Sequence, residues 1–278
     1  VTAYERELDV VREVVLEAGE LLRGEAKDPR PAHGGHNPVD AEIGARLVER
    51  LLREYPRDGV TIEEGAVNRA GTSGRAWVID PHDGTSDFNR GRRETSISVA
   101  LVDRGELVLG VVHAPVPTPL TGERGLLASW AKGEPLTKNG VAVSTPSRSM
   151  LEQGARVLLS TRLAGEGFSR NERAVAPAEA LLCASIATRL ALVAVGDADV
   201  GLTIKNGLAD WDFAAGQALL RGAGGDLVGP EGKPIAWSGT HTSGTGLPGY
   251  FGARSVALAA EVARRYRDGF PEVFGGSR

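Results

Sequence analysis

The 278-residue chain holds a single cysteine, Cys183, so no internal disulfide framework can form and a reducing compartment is expected. That thiol lies in the apolar stretch Leu181–Ile186, which predicts a buried side chain rather than a nucleophile. The apolar run around Ala187–Val195 is interrupted by Arg189 and is too short to span a bilayer. Near the start, Glu5, Arg6, Glu7 and Asp9 stand where a signal peptide would need an apolar centre. A cytoplasmic protein with no membrane partner is the expectation. Positive charge is not in excess either: the net charge is −4 with 24% charged residues, so no nucleic-acid polymer is expected as partner. The chain has no G-x-x-x-x-G-K-[ST], no H-E-x-x-H and no G-x-S-x-G, and Gly222, Gly224 and Gly225 lack dinucleotide-site spacing. Internal repeats and low-complexity tracts are absent as well.

What is present is ordered alternation. Hydrophobic residues make up 41% of the chain, enough for one large or two modest domains. Thr2 with Glu5 reads as a capping box opening a first helix, whose apolar face repeats through Leu8, Val11, Val15, Ala18 and Leu22. Pro29, Pro31, Gly34, Gly35 and Pro38 break the pattern into a loop holding His33 and His36. Lacking Cys or acidic companions, these histidines read first as surface residues and only secondly as a metal pair. Asp40 opens a second helix, with Ile43, Leu47 and Leu51 on one face and Val48 and Leu52 beside them.

Apolar runs at Val60–Ile62 and Trp77–Ile79 predict buried strands. Thr95–Val102 and Leu107–His113 predict a β-hairpin turned by Asp103-Arg104-Gly105. Further strands are expected at Leu126–Trp130, Val141–Ser144, Val157–Ser160, Val200–Ile204 and Leu227-Val228. Further helices are expected at Ser185–Val195, Phe213–Arg221 and Ala257–Arg265, and Ser238–Tyr250 reads as a surface loop. The polar turn Thr145-Pro146-Ser147 predicts a boundary between units 1–146 and 147–278. Helix pairs alternating with mostly antiparallel strands imply a layered α/β (α+β) sandwich.

The densest chemistry is in Trp77–Gly91, WVIDPHDGTSDFNRG. A strand delivers Asp80, Pro81 stops the ladder, and Asp83 returns three positions later. Gly84 lets the backbone approach an anion, and Thr85 adds a hydroxyl. Two carboxylates on one turn repel unless a cation lies between them, and all-oxygen ligands suit a hard divalent ion such as Mg²⁺. Alone, the motif also reads as an Asp-Pro turn with a solvated second Asp. Glu63-Glu64 after one strand and Asp210-Trp211-Asp212 before a helix add acidic groups at the ends of other elements, which packing does not require.

Together DPHDGT, the earlier Glu-Glu pair and the later WDFAAG…GAGG resemble the inositol monophosphatase family of metal-dependent, lithium-sensitive phosphatases, from Asp40 to about Arg254. The resemblance implies a five-layer αβαβα sandwich of the inositol monophosphatase and fructose-1,6-bisphosphatase type, a homodimer and a small phosphorylated substrate. It implies two or three Mg²⁺ ions, held by Glu63, Asp80, the main-chain carbonyl of His82, Asp83 and Asp212. Thr85, paired with Asp40, would orient the attacking water, and Glu64 would help that water or a third ion. Gly84, Thr85, Ser160, Ser185 and Lys205 would contact the substrate. Asp40 can be helix cap and catalytic partner at once.

The chain departs from the family at three places. His82 stands where an aliphatic residue is usual, Ile62 replaces a glycine before the Glu-Glu pair, and Lys205 and Asn206 lie near where a substrate-binding glutamate is found. Lys205 with Arg90, Arg92 and Arg93 reads either as solvated charge or as recognition of a second anionic group. A 3′(2′),5′-bisphosphate nucleotidase, or a phosphatase for another sugar, nucleoside or histidinol phosphate, is the alternative. No clear adenine-stacking aromatic supports the nucleotidase. A non-catalytic scaffold is the reading from another class.

Overall fold

In the computed structural model, residues 2–32, 36–63, 68–144, 146–165, 168–204, 207–239 and 249–274 are described. Two helices come first, α1 (Glu5–Lys27) and α2 (Pro38–Glu54), followed by strands β1 (Gly59–Ile62) and β2 (Arg75–Asp83) and a short α3 (Thr85–Phe88). The hairpin is β3 (Ser96–Asp103) and β4 (Glu106–Ala114), continued by β5 (Leu126–Ala131), β6 (Thr137–Lys138) and β7 (Val141–Ala142). These seven strands form one sheet in chain order, parallel only between β1 and β2.

The second half contains β8 (Arg156–Leu159), α4 (Phe168–Val175), β9 (Glu179–Leu182), α5 (Ile186–Ala194) and β10 (Val200–Thr203). It closes with α6 (Asp210–Gly222), β11 (Asp226–Val228), β12 (Tyr250–Ala253), α7 (Val256–Gly269) and α8 (Pro271–Phe274). Its sheet runs β11-β12-β10-β8-β9, mixed in direction: β10, β8 and β9 are parallel, and β12 is antiparallel to both neighbours.

The layers follow from alternation on β3. Ile97, Val99 and Leu101 meet the inward stripes of α1 and α2, while Ala100 and Val102 face a core shared with α5 and α6. Both faces are buried from Ser96 to Val102, so the strand is apolar except for Ser96 and Ser98, which lie opposite the acidic end of β2. The same division recurs in the second sheet. Leu158 joins the α5–α6 core, while Val157 and Leu159 pack with Leu258, Val262 and Tyr266 of α7. Helix pair, sheet, helix pair, sheet and helix pair are thus stacked in that order, which is the expected αβαβα sandwich.

Gly110 explains how α6 comes so close to the first sheet. A Cβ there would lie 2.5 Å from the Ala215 carbonyl and 2.8 Å from the Ala218 methyl. Asp58 secures the start of β2 by accepting from Arg75 Nε at 3.1 Å, Arg75 Nη2 at 2.8 Å, Trp77 Nε1 at 3.1 Å and Ser73 Oγ at 2.7 Å. Among the described residues no helix is long and apolar enough to cross a membrane.

Several local expectations are corrected. Thr2 does not cap α1; Tyr4 precedes that helix without a side-chain cap, and the Thr2 hydroxyl donates to Glu134 instead. α2 begins at Pro38 with Asn37 as its cap, so Asp40 lies inside the first turn. α4, β9 and β12 lack long periodic signals and were not expected. Thr145 and residues 240–248 of the expected Ser238–Tyr250 loop lie outside the described residues, whereas Tyr250 is a buried strand residue.

Candidate active site

β2, paired between β1 and β3, carries the site at its C-terminal end. Its last four residues, Asp80 to Asp83, are all buried. Asp80 pairs with Ser98 and Asp83 with Ser96, so β2 holds one extra residue across this interval. Pro81 therefore does not end the ladder as the sequence suggested. It falls inside the irregularity, where its missing N–H breaks no pairing, and the strand resumes at Asp83. Gly84 follows with φ of 97°, a conformation open to glycine, and turns the chain into α3.

Three elements bring acidic groups to the same place. Ile62 pairs with Ile79 in the parallel β1–β2 contact, so Glu63 and Asp80 emerge side by side. Asp212 arrives from the first turn of α6, where a negative charge suits the helix dipole. Glu63, Asp80, Asp83 and Asp212 all line one cavity of about 390 Å³. Burial, then the charges of Glu63, Asp83 and Asp212, push the Asp80 carboxyl well above its ordinary range.

Burial also raises Asp83, against the hydrogen bonds from Ser185 and Ala187 and the charge of Arg189, which pull it down. Each of three aspartates rests on a protein donor. Asp80 Oδ1 accepts from His82 N at 2.9 Å, Asp83 Oδ2 from Ser185 Oγ and Ala187 N at 2.6 Å, and Asp212 Oδ2 from Ala209 N at 2.7 Å. Among the described residues no three His, Cys, Asp or Glu side chains are already grouped as a metal cage. The four carboxylates nonetheless repel one another around one cavity, and an all-oxygen donor set of this kind fits a hard divalent cation.

His82 changes the expected pairing beside it. Asp40 Oδ1 lies 2.5 Å from His82 Nδ1, and Asp40 Oδ2 accepts from Asn37 N at 2.9 Å. The Thr85 hydroxyl donates to the His82 carbonyl at 2.6 Å. The direct Asp40–Thr85 pair implied by the resemblance is therefore replaced by a link through His82, because an imidazole fills the space an aliphatic side chain would leave. The ring is buried and packs edge-on against Phe88 at 4.8 Å.

Gly84, Thr85 and Ser160 also line the cavity. Ser160 Oγ accepts from Arg162 N at 3.3 Å. Ser185 does not reach the cavity. It is fully buried beneath the loop, donating to Asp83 and accepting from Thr188 N at 2.9 Å, so it positions a carboxylate rather than a ligand. Glu64, Lys205, Asn206 and His33 lie outside the described residues. Cys183 is buried, and burial pushes its thiol up to about 12. Arg189, read only as a break in an apolar run, proves to line the cavity. Its signal in the sequence is a lone cation within a helix of otherwise apolar and small residues.

Comparison with known proteins agrees with this geometry. A sequence model of the inositol monophosphatase family matches residues 4–267. Over 197 residues the chain is 31% identical to a Thermotoga maritima protein named fructose-1,6-bisphosphatase/inositol-1-monophosphatase, covering 70% of this chain and 71% of that one. It is 35% identical over 200 residues to a Xylella fastidiosa protein named Nus factor SuhB, covering 67% of this chain and 66% of that one. A solved Thermotoga maritima IMPase superposes with a TM-score of 0.79 over 96% of this chain and 99% of that one, at 22% identity, a likeness of fold. With three motifs converging on one cavity and a match along nearly its whole length, the chain belongs to the inositol monophosphatase family.

Proposed function

We propose that the chain is a Mg²⁺-dependent phosphatase that hydrolyses a small phosphate monoester by attack of water. The observation that carries this is Asp80, buried and raised by three further carboxylates around a ligand-sized cavity. Members of the family are generally metal-dependent. Two or three Mg²⁺ ions, held by Glu63, Asp80, the His82 carbonyl, Asp83 and Asp212, would supply charge neutralisation at the phosphate and acidify the attacking water.

The chain's own groups do the positioning. Thr85 Oγ1 gives its proton to the His82 carbonyl, so its lone pairs are left to accept from, and orient, a water. Asp40 fixes the His82 ring and with it the carbonyl on which Thr85 rests. The main-chain N–H groups of Gly84 and Thr85 receive phosphate oxygens, with Ser160 at the cavity wall. Glu64 is the helper for the water, and Lys205 a substrate contact.

The likeness to a protein named Nus factor SuhB favours a second reading, in which the fold serves a partner rather than an ester. Phosphate release with and without Mg²⁺, across inositol phosphates, sugar phosphates, nucleoside bisphosphates and histidinol phosphate, separates the two. Mg²⁺-dependent release from at least one class is expected. Release from none would overturn the phosphatase reading.

A further inference from the structure

Apart from Thr188 and Arg189, α5 consists of small and apolar residues, and it runs in the central layer of the sandwich against α6 and both sheets. Arg189 is 1% exposed, and its Nε and Nη1 have no hydrogen-bond partner among the described residues. A guanidinium cannot shed its charge, and burying one is costly unless an opposite charge is near. That opposite charge is in the cavity, because Arg189 lines the same space as Glu63, Asp80, Asp83 and Asp212. It also stands one turn beyond the residues of α5 that grip Asp83. Ser185 Oγ, at the helix cap, and Ala187 N both donate to Asp83 Oδ2 at 2.6 Å. The Arg189 charge adds to them, pulling Asp83 down against the burial that raises it. Cys183 and Tyr250 feel the same cation, but burial keeps both neutral, so neither can balance it.

We propose that Arg189 is a positioning residue of the metal site, acting through Asp83 as a permanent counter-charge. It holds the carboxylates together while no metal is bound and, by repelling further cations, lowers their affinity for Mg²⁺. The inference rests on the metal-dependent reading above. One charge thus has effects of opposite sign on the empty and the filled site. A role in packing alone would lower stability with and without metal, and would leave Mg²⁺ affinity unchanged or weaker.

Calorimetric titration of Mg²⁺ into the substrate-free protein, with melting in EDTA and in Mg²⁺, tests this without turnover. Arg189→Gln is expected to bind Mg²⁺ about tenfold more tightly than wild type. The same variant should melt about 3 °C or more lower in EDTA and gain more from added Mg²⁺ than wild type does. Arg189→Lys keeps the charge on a differently shaped side chain, and its Mg²⁺ affinity is expected within about threefold of wild type. Unchanged or weakened Mg²⁺ binding in Arg189→Gln overturns the inference and leaves the metal-dependent reading standing. A wild type that takes up no Mg²⁺ overturns that reading and the inference with it. Should Arg189→Gln fail to fold in EDTA, Asp80→Asn is added to it, removing one charge of each sign. That double variant is expected to fold and to melt within about 3 °C of wild type. A double variant that stays unfolded overturns the inference.

Discussion

Asp40 Oδ1 lies 2.5 Å from His82 Nδ1, and both side chains are buried. They come from different elements, one from the first turn of α2 and one from the end of β2, so the contact ties the helical layer to the turn that carries Asp80 and Asp83. Removing the ring leaves a buried carboxylate short of a partner. His82→Leu is therefore expected to cost about 1–3 kcal/mol, with Asp40→Asn similarly destabilising. In a double-mutant cycle read by urea unfolding, the two changes should couple by about 1 kcal/mol or more. Simple additivity would show that the contact contributes nothing.

Asp80 stores repulsion that a cation would relieve. At neutral pH in EDTA, Asp80→Asn is expected to melt about 3 °C or more above wild type, since it removes one of four clustered charges and preserves side-chain size. Added Mg²⁺ should raise the wild-type Tm and have much less effect on the variant. A variant that melts lower than wild type in EDTA would contradict the electrostatic account.

Gly110 links the fold to the site, because it sets how closely α6, the carrier of Asp212, approaches β4. Gly110→Ala forces a methyl against Ala215 and Ala218 and is expected to cost about 1–3 kcal/mol. The displaced helix should also weaken Mg²⁺ binding, read as a raised half-saturating concentration. Unchanged stability with unchanged Mg²⁺ dependence would mean that α6 is not fixed there.

His113 supplies the pH dependence. Burial lowers its pKa from 6.5 to about 4, so the folded protein holds it neutral while the unfolded chain takes up a proton. The stability this group contributes is complete above about pH 6.5 and is lost as pH falls toward about 4, on the order of 3 kcal/mol. His113→Leu should flatten that part of the stability profile, measured by urea unfolding at pH 7 and pH 4.5. An equal loss in wild type and variant would assign the acid sensitivity to other groups.

Much of this was legible in the sequence, for physical reasons. Leu8 through Leu22 and Ile43 through Leu51 repeat at helical spacing because only one face is buried, and both stripes are buried as expected. The DPHDGT turn stood out because carboxylates so near each other repel, and the acidic groups at the ends of other elements gave that repulsion a meaning the motif alone did not. Pro81 misled because a bulge removes the penalty that normally ends a strand at proline. Asp40 was misplaced by three residues because Asn37 and Asp40 can each cap, and the two in fact cap reciprocally. Ser185 looked like a ligand contact, but its hydroxyl points to Asp83. Arg189 was hidden because a lone cation in an apolar stretch argues first about membranes, and its meaning depends on what α5 faces. The contact between His82 and Asp40 joins residues 42 apart and leaves no local trace.

The most direct test of the central claim is the Mg²⁺ dependence of phosphate release by wild type and Asp212→Asn, on whichever ester of the panel is turned over best. Asp212 comes from a different layer than Asp80 and Asp83, so its effect reports convergence rather than the motif alone. The account predicts saturable Mg²⁺ activation of wild type and a loss of at least about a hundredfold in Asp212→Asn, with the variant's Tm in EDTA at or above that of wild type. Full activity of the variant at saturating Mg²⁺ would contradict it.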